Sequence, residues 1–182
     1  MGLDLYLFAR KSERDCIGLI FERATGDTDS LIQYFKGKIS PEDDRTGSDG
    51  YPDFILRREV WDGFIRELAS VEEEMTYLRD CLTETRFDEN SFVTALFVWT
   101  PKLTREVDLE KARKFDDWYR EIFKTGSMFA SGSKDGKPDY SPEKLEFAAF
   151  NAALLLYWKT ELNAKARRYM DDGYEMEIGL AF

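Results

Sequence analysis

The chain has no histidine among its 182 residues. Histidine is the side chain whose charge ordinarily changes near neutral pH. Its absence therefore excludes histidine-dependent catalytic triads, general-base catalysis by imidazole and histidine-ligated metal sites. No other catalytic signature stands out in the sequence. We therefore expect a protein that is not an enzyme, with no catalytic residue, no metal ligand and no cofactor.

Cysteine is nearly as scarce, with Cys16 and Cys81 the only two in the chain. They lie far apart and form no CxxC pair, the spacing that is typical of metal and redox sites. Two isolated thiols are more often reduced and packed in a core than joined in a bridge. A cysteine nucleophile would also lack the histidine that commonly activates it.

Long hydrophobic runs are missing too. The most apolar stretch, residues 147–158, covers 12 residues and includes Asn151, whereas a membrane-spanning helix needs about 20. The N-terminal residues lack the basic start and apolar stretch of a signal peptide, because Asp4 interrupts them. We expect a soluble, cytoplasmic protein that does not associate with membranes.

Basic residues are outnumbered, 26 against 36 acidic ones, which gives a formal net charge of -10. A chain of that charge repels phosphate backbones and anionic lipids, so we expect no direct binding of nucleic acid or membrane. The same charge favours a basic partner, although acidity can also serve solubility alone.

The composition supports a folded core, with 43% hydrophobic and 15% aromatic residues. The length predicts a single domain that spans residues 1–182. Two stretches rich in turn-forming and charged residues predict flexible loops, near residues 39–53 and 126–140.

Strand patterns stand near both ends and near the middle of the chain. Residues 3–9 and 174–182 alternate in character, and residues 91–99 are rich in β-branched and aromatic side chains. We expect the first strand to pair with the last, because each would otherwise be a loose end.

Helical spacing of apolar residues predicts helices between these strands. A short helix is expected between a Ser12 cap and a Gly26 stop, although a two-residue period is also present there. A capping box of Ser70 with Glu73 predicts a break in one long helix. The other helices are expected at residues 30–36, 58–85, 108–124 and 141–171.

This order of elements predicts an α+β fold. We expect a small antiparallel or mixed sheet that includes the N- and C-terminal strands, packed by several amphipathic helices. A brief strand at residues 54–56 is one interpretation of the approach to the long helix.

Residues 39–53, here called the acidic segment, hold five acids and one base. Carboxylates suit a hard cation, but their spacing does not match the EF-hand pattern, so a solvated acidic loop is the better interpretation. Three further glutamates at residues 72–74 fall in the middle of the expected long helix, where like charges cost stability.

Together with Glu175 and Glu177, these acids could form a negative surface. Such a surface can occupy a groove built for nucleic-acid phosphates, or steer a basic protein toward it. An ordinary solvated face is the alternative. The candidate partner-binding residues are Glu42, Asp43, Asp44, Glu72, Glu73 and Glu74.

The opening residues 1–7, MGLDLYL, resemble the start of small uncharacterised phage and prophage proteins that begin MGLDxYL. The resemblance implies a virus- or prophage-borne accessory gene, and many such genes encode small acidic proteins that block host defence nucleases. A phage-encoded chain would act in the host cytoplasm.

Three functions follow as expectations. The first is an inhibitor of a host nucleic-acid-handling defence complex, of the anti-CRISPR or anti-restriction type, that occludes a basic surface. The second is an immunity or antitoxin protein that neutralises a basic toxin. The third is a carboxylate- and metal-dependent enzyme, which would need at least three acids converging on a divalent ion.

Overall fold

The computed structural model describes residues 4–23, 28–83, 88–89, 94–95, 102–130 and 135–181. Contacts along the chain divide it into two compact units. Unit 1 draws on Met1–Arg66, Arg86–Phe97 and Thr160–Phe182, and unit 2 on Glu67–Thr85 and Val98–Lys159. The expectation of one domain over residues 1–182 stays a prediction.

The protein is α+β, as the order of elements predicted. Its helices and strands are β1 (Asp4–Ser12), β2 (Asp15–Arg23), α1 (Thr28–Lys36), β3 (Asp53–Leu56), α2 (Arg58–Ala69), α3 (Glu72–Asp80), β4 (Asp88–Glu89), β5 (Thr94–Ala95), α4 (Leu109–Phe123), α5 (Pro142–Tyr157), α6 (Asn163–Asp171) and β6 (Glu175–Ala181). A 3-10 turn at Pro41–Asp43 and a π-helical turn at Trp158–Leu162 complete them.

Unit 1 is built on a four-stranded antiparallel sheet with the strand order β2-β1-β6-β3. The predicted pairing of the first strand with the last is confirmed, from Asp4 opposite Ala181 to Arg10 opposite Glu175. One face of the sheet is apolar because alternate residues of β1 and β6, such as Leu7 and its partner Ile178, are buried.

Aromatic side chains fill the core of unit 1. Phe54 of β3, Phe35 of α1 and Phe64 of α2 are fully buried, and the Phe35 and Phe64 rings lie 5.0 Å apart. Trp61 is fully buried as well, and its Nε1 donates to Asn163 Oδ1 at 2.8 Å. Each such side chain contributes about 1.5–3 kcal/mol through burial.

The helix expected after Ser12 is wrong, because this stretch is strand β2. Ser12 lies opposite Asp15 across a tight turn, and β2 pairs with β1 from there to Arg23. The two-residue period, and not the helical spacing, is therefore the pattern that this stretch follows. A neighbouring strand two residues away supplies a ladder that the weak helical spacing cannot outweigh.

The predicted break in the long helix is confirmed, but its cause is not the capping box. Helix α2 ends at Ala69 and α3 begins at Glu72. The Ser70 hydroxyl donates back to the Glu67 carbonyl at 2.7 Å, and Val71 occupies the N-cap without a side-chain hydrogen bond.

Unit 2 packs α3, α4 and α5 against one another. Its core includes Met75 and Leu78 of α3, Phe115 of α4 and Ala148 of α5, all fully buried. The predicted start of α4 is confirmed by Asp108, whose side chain accepts from the Glu110 amide. The helix expected over residues 141–171 carries the π-helical turn between α5 and α6.

The remaining predictions concern loops and the central strand. Residues 126–130 and 135–140 hold no helix or strand, whereas the loop predicted at residues 39–53 contains the 3-10 turn at Pro41–Asp43. The flexibility of both loops stays a prediction. Of the strand expected over residues 91–99, only β5 falls within the described residues, where it pairs with β4. The prediction for the rest of that strand lies outside them.

Candidate functional site

The acidic segment is ordered around one inward-facing carboxylate, Asp43. Arg57 donates to it twice, from Nη2 to Oδ1 at 2.6 Å and from Nε to Oδ2 at 3.0 Å. The Ser40 hydroxyl donates to Oδ2 at 3.1 Å. The Asp43 side chain is only 4% exposed. The hydrogen bonds from Arg57 hold the pKa of this carboxyl below its usual range.

The backbone around Asp43 is tied down as well. The amide of Asp43 donates to the Ser40 carbonyl and that of Asp44 to the Pro41 carbonyl, which closes the 3-10 turn. Asp44 forms an isolated bridge with Phe54, and the Arg45 amide donates to the Asp53 carbonyl at 2.8 Å. The turn is therefore fastened to β3.

Glu42 and Asp44 flank this anchor, and both are exposed. Asp44 Oδ1 accepts from the Thr46 amide at 3.0 Å, and hydrogen bonds from Thr46 lower the pKa of the Asp44 carboxyl. Within the described ranges, neither carboxylate has an ion-pair partner. The arrangement turns one acid inward and leaves its two neighbours toward solvent.

The one base of the segment is directed at β6. Arg45 Nη2 lies 3.6 Å from Glu175 Oε2, and Arg57 Nη1 lies 3.7 Å from Glu175 Oε1. Glu175 is thus shared between two arginines. Because it is paired, it adds little to a negative surface.

Glu177, the other acid expected on that surface, is buried. Arg10 Nε donates to its Oε2 at 2.7 Å and Nη2 to its Oε1 at 3.3 Å. The fork geometry of arginine matches both carboxylate oxygens, so the pair cross-links β1 and β6. Glu177 therefore serves the sheet.

The sequence predicted that the three glutamates at residues 72–74 lie in the middle of a helix, and this prediction is wrong. They form the first turn of α3, where carboxylates are favoured by the positive end of the helix dipole. Each has a lysine partner in unit 2: Glu72 with Lys159, Glu73 with Lys111, and Glu74 with Lys114. Hydrogen bonding from Lys111 lowers the pKa of Glu73, and Glu74 is buried.

The candidate residues thus fall into two groups. Glu42, Asp43 and Asp44 belong to unit 1, and the three glutamates of α3 belong to unit 2. Of the six candidates, Glu42 and Asp44 are the two that are exposed and have no ion-pair partner among the described residues.

A cluster that the sequence did not reveal lies on the second face of the sheet. Tyr6 stands opposite Gly179 in the β1–β6 pairing, and Asp53 stands opposite Gly179 in the β3–β6 pairing. The Tyr6 hydroxyl hydrogen-bonds to the Asp53 carboxyl across this glycine. A Cβ at position 179 would overlap the Tyr6 hydroxyl, so glycine is what admits the ring.

Burial and charge shape the protonation of this cluster. Burial, together with the charge of Glu177, raises the pKa of the Asp53 carboxyl above its ordinary value. Burial and the neighbouring Asp53 raise the pKa of Tyr6, which stays protonated as a donor. Asp53 Oδ1 is buried and has no hydrogen-bond partner among the described residues. The signal in the sequence was Gly179 within the alternating C-terminal strand. Its role could not be inferred without the strand register, which places Tyr6 and Asp53 on either side of it.

The two cysteines differ from each other. Cys81 is buried, as expected, and accepts from Arg105 Nε at 3.4 Å. The expectation of a core position is wrong for Cys16, which is exposed on β2. Within the described part of the chain, no group of three or more Cys, Asp or Glu side chains is placed to hold a metal ion.

No protein-family model, no curated protein and no solved structure matches the chain. None of the described helices combines the length and the apolar character needed to cross a membrane.

Proposed function

We propose that the chain is a non-enzymatic binding protein that presents Glu42 and Asp44 to a basic surface on a partner protein. The observation that carries this proposal is the inward anchoring of Asp43 by Arg57 and Ser40. The anchor fixes the backbone on which the two outer carboxylates stand.

A fixed backbone matters for binding because a partner then does not have to order the loop. Ordering flexible groups at an interface costs about 0.5–1.5 kcal/mol for each immobilised side chain, and a preformed turn avoids part of that cost. The fastening of Asp44 and Arg45 to β3 supplies this rigidity here.

The net charge of -10 points to the class of partner. A surplus of carboxylates accelerates encounter with a basic surface and repels acidic ones. Basic surfaces of this kind line the grooves that hold nucleic-acid phosphates. With the phage-like opening, this favours a host nucleic-acid-handling defence complex, of the anti-CRISPR or anti-restriction type, which the chain would inhibit by occlusion.

The α3 glutamates have a smaller part in this proposal. Glu72, Glu73 and Glu74 each hold a lysine of unit 2, so reversing their charge would first break those pairs. We therefore assign direct contact to Glu42 and Asp44.

The test is affinity capture with the chain as bait from a bacterial host lysate, followed by elution in a salt gradient and identification of the captured proteins. A nucleic-acid-handling protein that elutes with salt supports the proposal. A small basic toxin would support the antitoxin alternative instead. Capture that is insensitive to salt would contradict electrostatic recognition.

The decisive comparison uses two double variants with the same change in net charge. Glu42→Lys with Asp44→Lys reverses the acidic segment, and Glu121→Lys with Asp135→Lys reverses two exposed acids of unit 2. We expect the first variant to bind the captured protein about tenfold more weakly at low salt, with the second close to wild type. Equal loss in both variants would assign the effect to net charge alone and refute the site.

A further inference from the structure

The second face of the sheet holds a carboxyl in an unusual setting. Asp53 begins β3, and its Oδ1 is buried with no hydrogen-bond partner among the described residues. Among the described residues, the side chain that donates to its carboxyl is that of Tyr6. Glu177, a second carboxylate, acts on it from the neighbouring strand β6.

An ionised carboxylate is poorly served there. A buried charged oxygen without a donor is costly, and a second negative charge nearby adds to the cost. A protonated carboxyl carries no charge, so it avoids the repulsion from Glu177 and the larger part of the desolvation cost. The folded state therefore keeps the neutral acid to a higher pH than the unfolded chain does.

The charges around Asp53 decide the balance. From β1, Arg10 attracts the ionised form, but Arg10 is committed to Glu177 through two hydrogen bonds. Arg45 also attracts it, but its side chain is directed at Glu175. The 3-10 turn and α1 also pack near β3, and each carries charged groups. Asp43 of the turn is paired with Arg57, and the charge of Lys36 in α1 favours the ionised form of Asp44.

Asp53 is also the point where the acidic segment is fastened to the sheet. Its carbonyl accepts from the Arg45 amide at 2.8 Å, and the carbonyl of Pro52 accepts from the Leu180 amide at 3.0 Å. Any loosening at Asp53 acts directly on these two hydrogen bonds. The segment that carries Glu42 and Asp44 then keeps its bridge from Asp44 to Phe54 but loses its fastening at Asp53.

We propose that Tyr6, Asp53 and Glu177 form a proton-operated joint between β3 and β6. Protonated Asp53 closes the joint and holds the acidic segment against the sheet. Ionised Asp53, placed beside Glu177 with an unsatisfied oxygen, opens it. This inference concerns the order of the segment and does not depend on the existence of a partner.

The direction of the pH dependence follows from the difference in the Asp53 pKa between the folded and unfolded states. A carboxyl whose pKa is raised in the folded state stabilises the closed joint at low pH, and that contribution is lost as the pH rises from the ordinary carboxyl value through the raised one. In that window the opening constant rises about tenfold for each pH unit and then levels off.

The experiment measures amide hydrogen exchange by NMR in the whole chain from about pH 4 to about pH 8, with protection factors corrected for intrinsic exchange. The reporters are the amides of Arg45 and Leu180. We expect their protection factors to fall with pH in the wild type. In Asp53→Asn, which cannot ionise, we expect them to stay constant and to exceed the wild-type values at the upper end.

The matched control is Asp49→Asn, which neutralises an exposed acid of the same segment and should keep the wild-type pH dependence. Flat protection factors in the wild type, or an unchanged pH dependence in Asp53→Asn, would overturn the proposal. If Asp53→Asn does not fold, carboxyl carbon NMR of the wild type decides. A midpoint above the ordinary carboxyl range supports the joint, and an ordinary midpoint refutes it.

Discussion

Removing either partner of the Asp43–Arg57 pair should destabilise unit 1, but by unequal amounts. Asp43→Ala removes three side-chain hydrogen bonds to a charged acceptor. One such bond contributes about 1.5–3 kcal/mol. Arg57, however, is 52% exposed and becomes hydrated once the carboxylate is gone. The expected loss in the free energy of unfolding is therefore only about 2 kcal/mol.

Arg57→Ala should cost more than Asp43→Ala. It leaves a carboxylate that is only 4% exposed with Ser40 as its remaining side-chain donor among the described residues. An uncompensated buried charge is more costly than a lost hydrogen bond to an exposed group. The double variant removes that charge as well, so it should be more stable than Arg57→Ala alone.

Urea unfolding of the four proteins at constant m-value measures this cycle. Because the folded pKa of Asp43 lies below its ordinary value, its contribution is present above about pH 4. It disappears as the pH falls through the folded pKa. The gap between wild type and Asp43→Ala should close accordingly in acid. The reasoning would be refuted if Arg57→Ala lowered the free energy of unfolding by less than Asp43→Ala does. It would also be refuted if the effects of the two single substitutions simply added in the double variant.

Two further substitutions test the packing. Gly179→Ala should destabilise the protein by about 1–3 kcal/mol, because the new methyl group meets Tyr6 and the backbone carbonyl of Pro52. Urea unfolding should show a smaller loss of stability when the same substitution is made in a Tyr6→Ala background. An unchanged loss would contradict the role of the Tyr6 ring. Asp116→Ala should cost about 2 kcal/mol and speed proteolysis near residues 127–130, because buried Asp116 accepts from the Ser127 hydroxyl at 2.6 Å and the Met128 amide at 2.8 Å. Proteolysis at the wild-type rate would show that other contacts hold this loop.

The fold was largely predictable because its decisive signals are local. Alternation over residues 174–182 and the pattern at the N-terminus predicted two terminal strands. The argument that each would otherwise be a loose end predicted their pairing, which the structure confirms. Helices α4 and α5 each begin within one residue of the starts expected at residues 108 and 141, where the structure has Asp108 as the N-cap of α4 and Pro142 as the first residue of α5. Strand β2 was missed because two periods coexist in its sequence. The choice between them depends on a partner strand, not on the segment itself.

The candidate site was less predictable, because ion pairs connect distant positions. Glu177 and Arg10 are 167 residues apart in sequence, and Glu73 and Lys111 are 38 apart. A run of acids in a sequence shows that charge is present but not whether a base neutralises it. The run at residues 72–74 looks like an exposed patch and is in fact paired with lysines throughout.

Internal pairing also means that position in the fold, and not local charge density, decides which acids keep an unneutralised charge. The net charge of -10 means that acids remain in excess even if every base neutralises one of them. Among the described residues, arginine and lysine side chains form ion pairs with Asp43, Glu175, Glu177 and the α3 glutamates. The excess lies on exposed acids without an ion-pair partner among the described residues, with Glu42 and Asp44 among them. Under the proposed function, we expect a partner that recognises charge to contact exposed, unpaired acids before a denser but neutralised run.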